Sequence, residues 1–286
     1  MSLTDAHPEP TGTVPIRPVK RSHWWREVLL IAAFYGLYSL VRDLRGDKPV
    51  SVAQALTNAH RIIRFERWFG IFHEQNVQHW FLHDRLLLEF CDDFYGTAHF
   101  VAAIGTLILL FFCFPDRYRL WRNTLAFTTG LALIGFYFFP LMPPRLLPAG
   151  YQFVDTLRVV GGLWNFSSGP VNDVSNQYAA MPSLHTAWST WCALVVISLV
   201  RPWWAKVLAV LYPLFTVFCI VVTANHYFSD AIAGVLLVIV SYYLALLVTR
   251  QMDRLAARKE TRAAGPNGFE PGGAIEDDAV NPRART

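Results

Sequence analysis

Two short polar clusters interrupt long apolar runs: Met181-Pro182-Ser183-Leu184-His185 and Asn225-His226-Tyr227-Phe228-Ser229-Asp230. Together they offer two imidazoles and a carboxylate, and ionisable groups at membrane segments are costly enough that their retention points to chemistry. Asp230 follows His226 by four residues, so in a helix both lie on one face and the carboxylate can accept a hydrogen bond from one ring nitrogen. Such a bond fixes the tautomer and frees the other nitrogen to attack or to take a proton. Ser183 suits the N-cap of the apolar segment after it, which sets His185 in a first helical turn, where unpaired backbone N–H groups favour an anion such as phosphate. Nucleophile, orienting carboxylate, second imidazole as acid and helix N-terminus form a kit for phosphoryl transfer. The same trio could bind a metal. No further ligand is evident and the phosphate chemistry requires none, so no metal or other cofactor is expected.

The elements that must position these groups are membrane helices. With 53% hydrophobic, 15% aromatic and 16% charged residues over 286 positions, the chain is too apolar for an ordinary soluble domain. Its net charge of +4 sits in tails and short loops, which makes nucleic acid an improbable partner. Cys91, Cys113, Cys192 and Cys219 lie far apart and mostly in apolar runs, as inert buried thiols would. The pattern predicts an all-α, polytopic membrane protein with six spans, near 27–41, 93–114, 121–141, 185–200, 203–223 and 229–250. The first and fourth are short, and Trp24, Trp25, Trp203 and Trp204 extend them into the interface. A five-helix count also fits. Residues 1–22 read as a disordered cytoplasmic N-terminus with no cleavable signal, 23–250 as the membrane-embedded catalytic domain, and 251–286 as a largely disordered cytoplasmic tail.

Charge sets the orientation. Arg117, Arg119 and Arg122, then Arg201 and Lys206, then Arg250, Arg254, Arg258 and Lys259 fall, with six spans, on the side of the basic N-terminus, which is cytoplasmic by the positive-inside rule. Both polar clusters then emerge on the extracytoplasmic face of the plasma membrane. Between residues 58 and 84, Ile62, Ile63, Phe65, Trp68, Phe69 and Trp80 alternate with Arg61, Arg64, Glu66 and Arg67, as in helices lying on the outer leaflet.

The clusters also carry a resemblance. Pro182-Ser183-Leu184-His185 resembles the Pro-Ser-Gly-His motif of the type 2 phosphatidic acid phosphatase superfamily, and His226 with Asp230 resembles the His-x-x-x-Asp of its last motif. The flanking residues, through Ala187 and Gly234, look most like the branch containing the inositol phosphorylceramide synthases. The resemblance covers about residues 58–250 and implies His226 as the nucleophile of a phosphohistidine intermediate, Asp230 as its orienting group, and His185 as the acid for the leaving alkoxide. It implies that Ser183 and nearby N–H groups hold phosphate oxygens, and that Arg145, in Met142-Pro143-Pro144-Arg145, stands for the first motif's cation.

Two expected cations are missing: Phe138 stands seven residues before Arg145, and Ile220 six before His226. A phosphomonoester carries nearly two charges and a diester one, so a cation-poor pocket suits a diester and shifts the expectation from phosphatase towards phosphoalcohol transferase. Arg158, or a cation of the amphipathic segment, could replace the missing charge. Further substrate-binding candidates are Asn225, His99 with Tyr95 inside the second span, and Tyr178, with Asn176 and Gln177, ahead of the His185 motif. A structural hydrogen bond is an equal reading of His99. His23, His60, His73, His79 and His83 read as structural, and Asp155, Asn165 and Asp173 as loop residues. The expected partners are a lipid-linked phosphate or phosphodiester, an alcohol acceptor and the bilayer. The alternatives are a lipid phosphate phosphatase and a non-catalytic lipid transporter or scramblase.

Overall fold

A computed structural model describes residues 51–160 and 178–263, together with positions 25, 29, 32 and 36. The expected N-terminal segment 1–22, nearly all of the expected first span, residues 161–177 and the tail beyond 263 lie outside the described residues. The described chain is helical: α1 (Val52–Trp68), α2 (Glu74–Phe81), α3 (Arg85–Cys113), α4 (Pro115–Phe138), α5 (Thr156–Val159), α6 (Leu184–Leu199), α7 (Trp203–Val222) and α8 (Phe228–Ala263), with single turns at Pro144–Leu146 and Ala149–Tyr151. Among the described residues the extended backbone is limited to an isolated bridge, Leu141 to Ala179. The described residues up to Ala245 form one compact unit and those from Leu246 onward a second. The last helix runs beyond the expected limit at Arg250 because Met252 to Ala257 and the charges after them are good helix formers.

Local chemistry sets the boundaries. Ser51 caps α1 by accepting from the Gln54 N–H, and Asp84 caps α3 by accepting from the Leu87 N–H at 3.1 Å. The helix α3 stops at Phe114 because Pro115 disfavours helical backbone before it and opens α4 at its first position. Three described helices are long and apolar enough to cross a membrane: Arg85–Cys113, Trp203–Val222 and Phe228–Lys259. Helix α6 is apolar but shorter. Helix α4 is long enough, at 24 residues, but Arg122, Asn123 and three threonines dilute it. Thr124, Thr128 and Thr129 each donate to the carbonyl four residues back, which hides their hydroxyls from an apolar surrounding.

The main core joins α3, α4, α6 and α8 around Leu110, Trp121, Trp191, Val195 and Val238, with the Trp191 indole N–H donating to the Trp121 carbonyl at 2.9 Å. Val101, Ile104, Phe112, Leu214, Leu236 and Ile239 stay exposed, a surface suited to lipid. The amphipathic pair α1 and α2 differs from its expected form. Its exposed side carries Phe65, Trp68, Phe69 and Trp80, whereas Asn58, Glu66, Glu74 and Gln78 are buried. Those polar groups are turned inward because they bond to backbone: Asn58 donates to the Pro140 carbonyl, and Gln78 exchanges two hydrogen bonds with Val154.

Two glycines let α4 and α8 close on the turn that starts α6. A Cβ at Gly234 would stand 2.5 Å from the Ser183 carbonyl oxygen, and one at Gly135 2.8 Å from the Pro182 ring. Backbone cannot yield as a side chain can, so Gly234→Ala is expected to lower stability by about 1–3 kcal/mol. Gly105, with nothing within 4 Å of its added Cβ, is the control. Gly105→Ala is expected to be neutral or to stabilise by up to about 1 kcal/mol. Thermal unfolding in detergent checks both signs.

Candidate active site

The site forms where the turn between α7 and α8 meets the start of α6. After α7, Ala224 takes a left-handed conformation (φ 52), and the Asn225 and His226 N–H groups both donate to the Ile220 carbonyl, at 2.9 and 3.1 Å. Segment 142–145 grips this turn. The Arg145 N–H donates to the Ala224 carbonyl at 2.8 Å, its Nε donates to Asn225 Oδ1 at 3.0 Å, and the Tyr227 hydroxyl donates to the Met142 carbonyl at 3.0 Å.

His226 Nδ1 lies 3.2 Å from Asp230 Oδ2. A carboxylate oxygen accepts, so Nδ1 carries the hydrogen and Nε2 presents its lone pair. Asp230 Oδ2 also accepts from the Tyr227 N–H at 3.0 Å, so the orienting carboxylate is itself held. The Ser183 N–H donates to the Asp230 carbonyl at 3.1 Å and ties the two polar clusters together. Ser183 caps α6 as expected, its Oγ accepting from the Thr186 N–H at 3.4 Å, which leaves His185 in the first turn.

The His185 ring stacks on Tyr95 at a centroid distance of 4.1 Å and lies 5.6 Å from the His226 ring. His226 Nε2, His185 Nδ1 and Asp230 Oδ1 are buried without a hydrogen-bond partner among the described residues. In-line transfer needs roughly 3 Å from nucleophile to phosphorus and roughly 3 Å from the leaving oxygen to its acid, which the ring separation accommodates. His99 packs edge-on against His185 at 4.3 Å, and its Nδ1 donates to the Tyr95 carbonyl at 3.0 Å, leaving Nε2 as an acceptor.

Of the sequence-predicted residues, His226, Asp230, His185, Ser183, Asn225, Arg145 and His99 converge here. Tyr178 does not: its carbonyl accepts from the Leu141 N–H and its ring packs on the core beneath α1. Asn176 and Gln177 lie outside the described residues. Phe138 is 73% exposed at the end of α4, and Ile220 is fully buried. Neither position offers a cation to the site. Arg145 Nη1 pairs with Asp155 Oδ2 at 3.2 Å, and Arg158, two-thirds exposed, pairs with the same oxygen at 3.3 Å. Much of the Arg145 charge is therefore met by protein, and Asp155 is more than the loop residue it reads as in sequence.

Two carboxylates that buttress the site, Glu66 and Glu74, escape the sequence. The Phe228 N–H donates to Glu74 Oε1 at 2.9 Å and the Ser229 N–H to Glu66 Oε1 at 2.7 Å, so three successive amides, from Tyr227 to Ser229, each bond a different carboxylate. Burial, and then the Glu74 carboxyl beside it, pushes Glu66 up to about 8. Burial raises Glu74 as well. The signal was spacing: Glu66 follows Ala55, Ala59 and Ile62 at helical intervals, so it extends the buried stripe of α1 instead of the charged one.

The PAP2 superfamily pattern matches residues 60–244, well over half of the chain. The chain belongs to the PAP2 superfamily. Membership brings lipid phosphatase or phosphotransferase-type chemistry, and the matched region spans both polar clusters and the start of α8. No curated protein and no solved structure matches the chain. Among the described residues of this PAP2 protein, no group of three or more His, Cys, Asp or Glu is set to hold a metal.

If Asp155 holds Arg145 against Asn225, the two charges are energetically coupled. A double-mutant cycle of Arg145→Ala and Asp155→Ala, read by thermal unfolding, is expected to give a coupling of about 0.5–3 kcal/mol. Additive effects would mean that Arg145 is free to serve a second phosphate charge.

Proposed function

We propose that this PAP2 protein is an integral membrane enzyme that moves a lipid-linked phosphoryl group through a phosphohistidine on His226, and that it acts as a phosphoalcohol transferase. The six-span arrangement is part of the proposal, with the site at the extracytoplasmic face of the plasma membrane. One observation carries the chemistry: His226 Nδ1 is engaged by Asp230 while Nε2 is buried, unpartnered and one ring separation from His185.

In the proposed reaction, His226 Nε2 attacks phosphorus as the bond to the leaving oxygen breaks, and protonated His185 gives that oxygen its proton. Asp230 stabilises the positive charge that develops on the imidazole. Neutral His185 then takes the proton of an acceptor hydroxyl, whose oxygen attacks the phosphohistidine and releases His226. Arg145, Asn225 and the N–H groups at the start of α6 are the proposed phosphate holders, Ser183 shapes that turn, and His99 supports His185. With water as acceptor the same steps make a phosphatase. The transferase reading is favoured because Arg145 is largely met by Asp155, while Phe138 and Ile220 add no cation. A site with so little net positive charge binds a singly charged diester better than a monoester.

Purified protein would be incubated with phosphatidylinositol or a short-chain phosphatidic acid, plus a lipid alcohol, and products followed by mass spectrometry. The expected result is movement of the phosphoalcohol to the second hydroxyl, and a loss of at least about 10³-fold in His226→Gln with folding intact. Phosphate released only from the monoester would establish the phosphatase instead. Lipid movement without product, unchanged in His226→Gln, would establish a transporter.

A further inference from the structure

The amphipathic segment that precedes the first described membrane helix contributes to the site from behind. Glu66 on α1 and Glu74 on α2 are both fully buried. Each spends Oε1 on an amide of the first turn of α8, Ser229 for Glu66 and Phe228 for Glu74. The other oxygen of each, Oε2, is buried with no hydrogen-bond partner, and because the two Oε1 atoms accept from adjacent amides the two carboxylates lie side by side. Carboxylate oxygens only accept, so two such neighbours can be satisfied together by one proton held between them. Two ionised carboxylates enclosed together would repel, whereas one shared proton removes both the repulsion and the unsatisfied pair.

We propose that Glu66 and Glu74 form a one-proton pair that positions the His226–Asp230 couple, so that the catalytic site assembles only while the pair holds its proton. The proposal rests on the catalytic reading of His226 given above. Its route is short. The pair fixes the amides of Phe228 and Ser229, and the next residue is Asp230, whose carboxylate holds His226 Nδ1 and the Tyr227 N–H. If the shared proton leaves, the two carboxylates separate and draw the first turn of α8 with them. The other groups facing the pair are the Asp230 carboxylate, the Tyr227 phenol and, through Asp230, the His226 ring. Burial holds the phenol well above its ordinary value, so it stays neutral throughout the relevant range.

The raised Glu66 value, about 8, sets the pH at which this is read. The folded protein keeps a proton that the unfolded chain loses near the ordinary carboxylate value, so stability and site assembly are greatest at low pH and fall as pH rises towards about 8.

The test uses the full-length protein in detergent or vesicles. In Glu74→Gln the amide offers Oε1 to Phe228 and a permanent N–H donor to Glu66, replacing the shared proton. The native protein is expected to lose kcat through one ionisation near pH 8, about tenfold by pH 9, with KM changed less than about twofold. Glu74→Gln should remove that limb. Glu74→Ala should lower kcat at neutral pH by about tenfold or more, with the Gln variant recovering most of the loss. The infrared difference between the native protein and the Glu66→Gln/Glu74→Gln double variant should show a protonated carboxyl band at pH 7. An unchanged alkaline limb in Glu74→Gln, or no such band, overturns the proposal. A protein that turns over no lipid phosphate yet shows the band, and whose His226 NMR signal titrates with it, would refute the catalytic reading while upholding the pair.

Discussion

The start of α8 must satisfy its backbone N–H groups where water has little access, and the site depends on how this is done. Orphan donors at a buried helix end each cost about 1–3 kcal/mol if left unmade. Here the solution is acidic: Asp230, Glu74 and Glu66 take the amides of Tyr227, Phe228 and Ser229 in turn. Negative groups at a helix N-terminus also meet the positive end of its dipole, which offsets part of their desolvation. One of the three is the residue that orients His226. The device that completes the helix is therefore the device that sets the tautomer of the imidazole, and a change in one is felt in the other.

The same constraint explains the close packing around the two clusters. For Ser183 to donate to the Asp230 carbonyl, the start of α6 must lie directly on the first turns of α8, and the absence of a Cβ at Gly234 permits it. Segment 142–145 then closes the opposite side, with Arg145 and Tyr227 as cross-links. His185 is held by α6 and His226 by the turn before α8, and the Ser183 to Asp230 backbone hydrogen bond ties the two together. Such preorganisation lets charge develop during phosphoryl transfer without rearranging the surroundings. Arg145 is part of the same arrangement, its guanidinium shared between Asn225 and Asp155.

Residues that act through local spacing were legible in the sequence. The Ser183 cap stands as read, and the His226–Asp230 contact forms, but His226 reaches it from the turn before α8 and not along one helical face. The helical class and the apolar spans at α3, α7 and α8 were legible for the same reason, because length and composition decide them. Groups whose environment is supplied by distant chain were not. Glu66 sits among Arg61, Arg64 and Arg67 and reads as part of a wet face, until the first turn of α8 arrives to bond it. Tyr178 reads as a head-group contact because it precedes the His185 motif, yet its backbone is claimed by Leu141. Asp155 reads as a loop residue because its partner Arg145 is ten positions away across two turns.

The central claim is that His226 becomes covalently phosphorylated, and one measurement addresses it directly. Protein turning over a phosphorus-labelled lipid substrate would be quenched in alkali, digested and sequenced by mass spectrometry. The account predicts an alkali-stable, acid-labile adduct on the peptide containing His226, present in the native protein and absent in His226→Gln. Label transfer from lipid to product at undiminished rate in His226→Gln, or an adduct at any other residue, would contradict it.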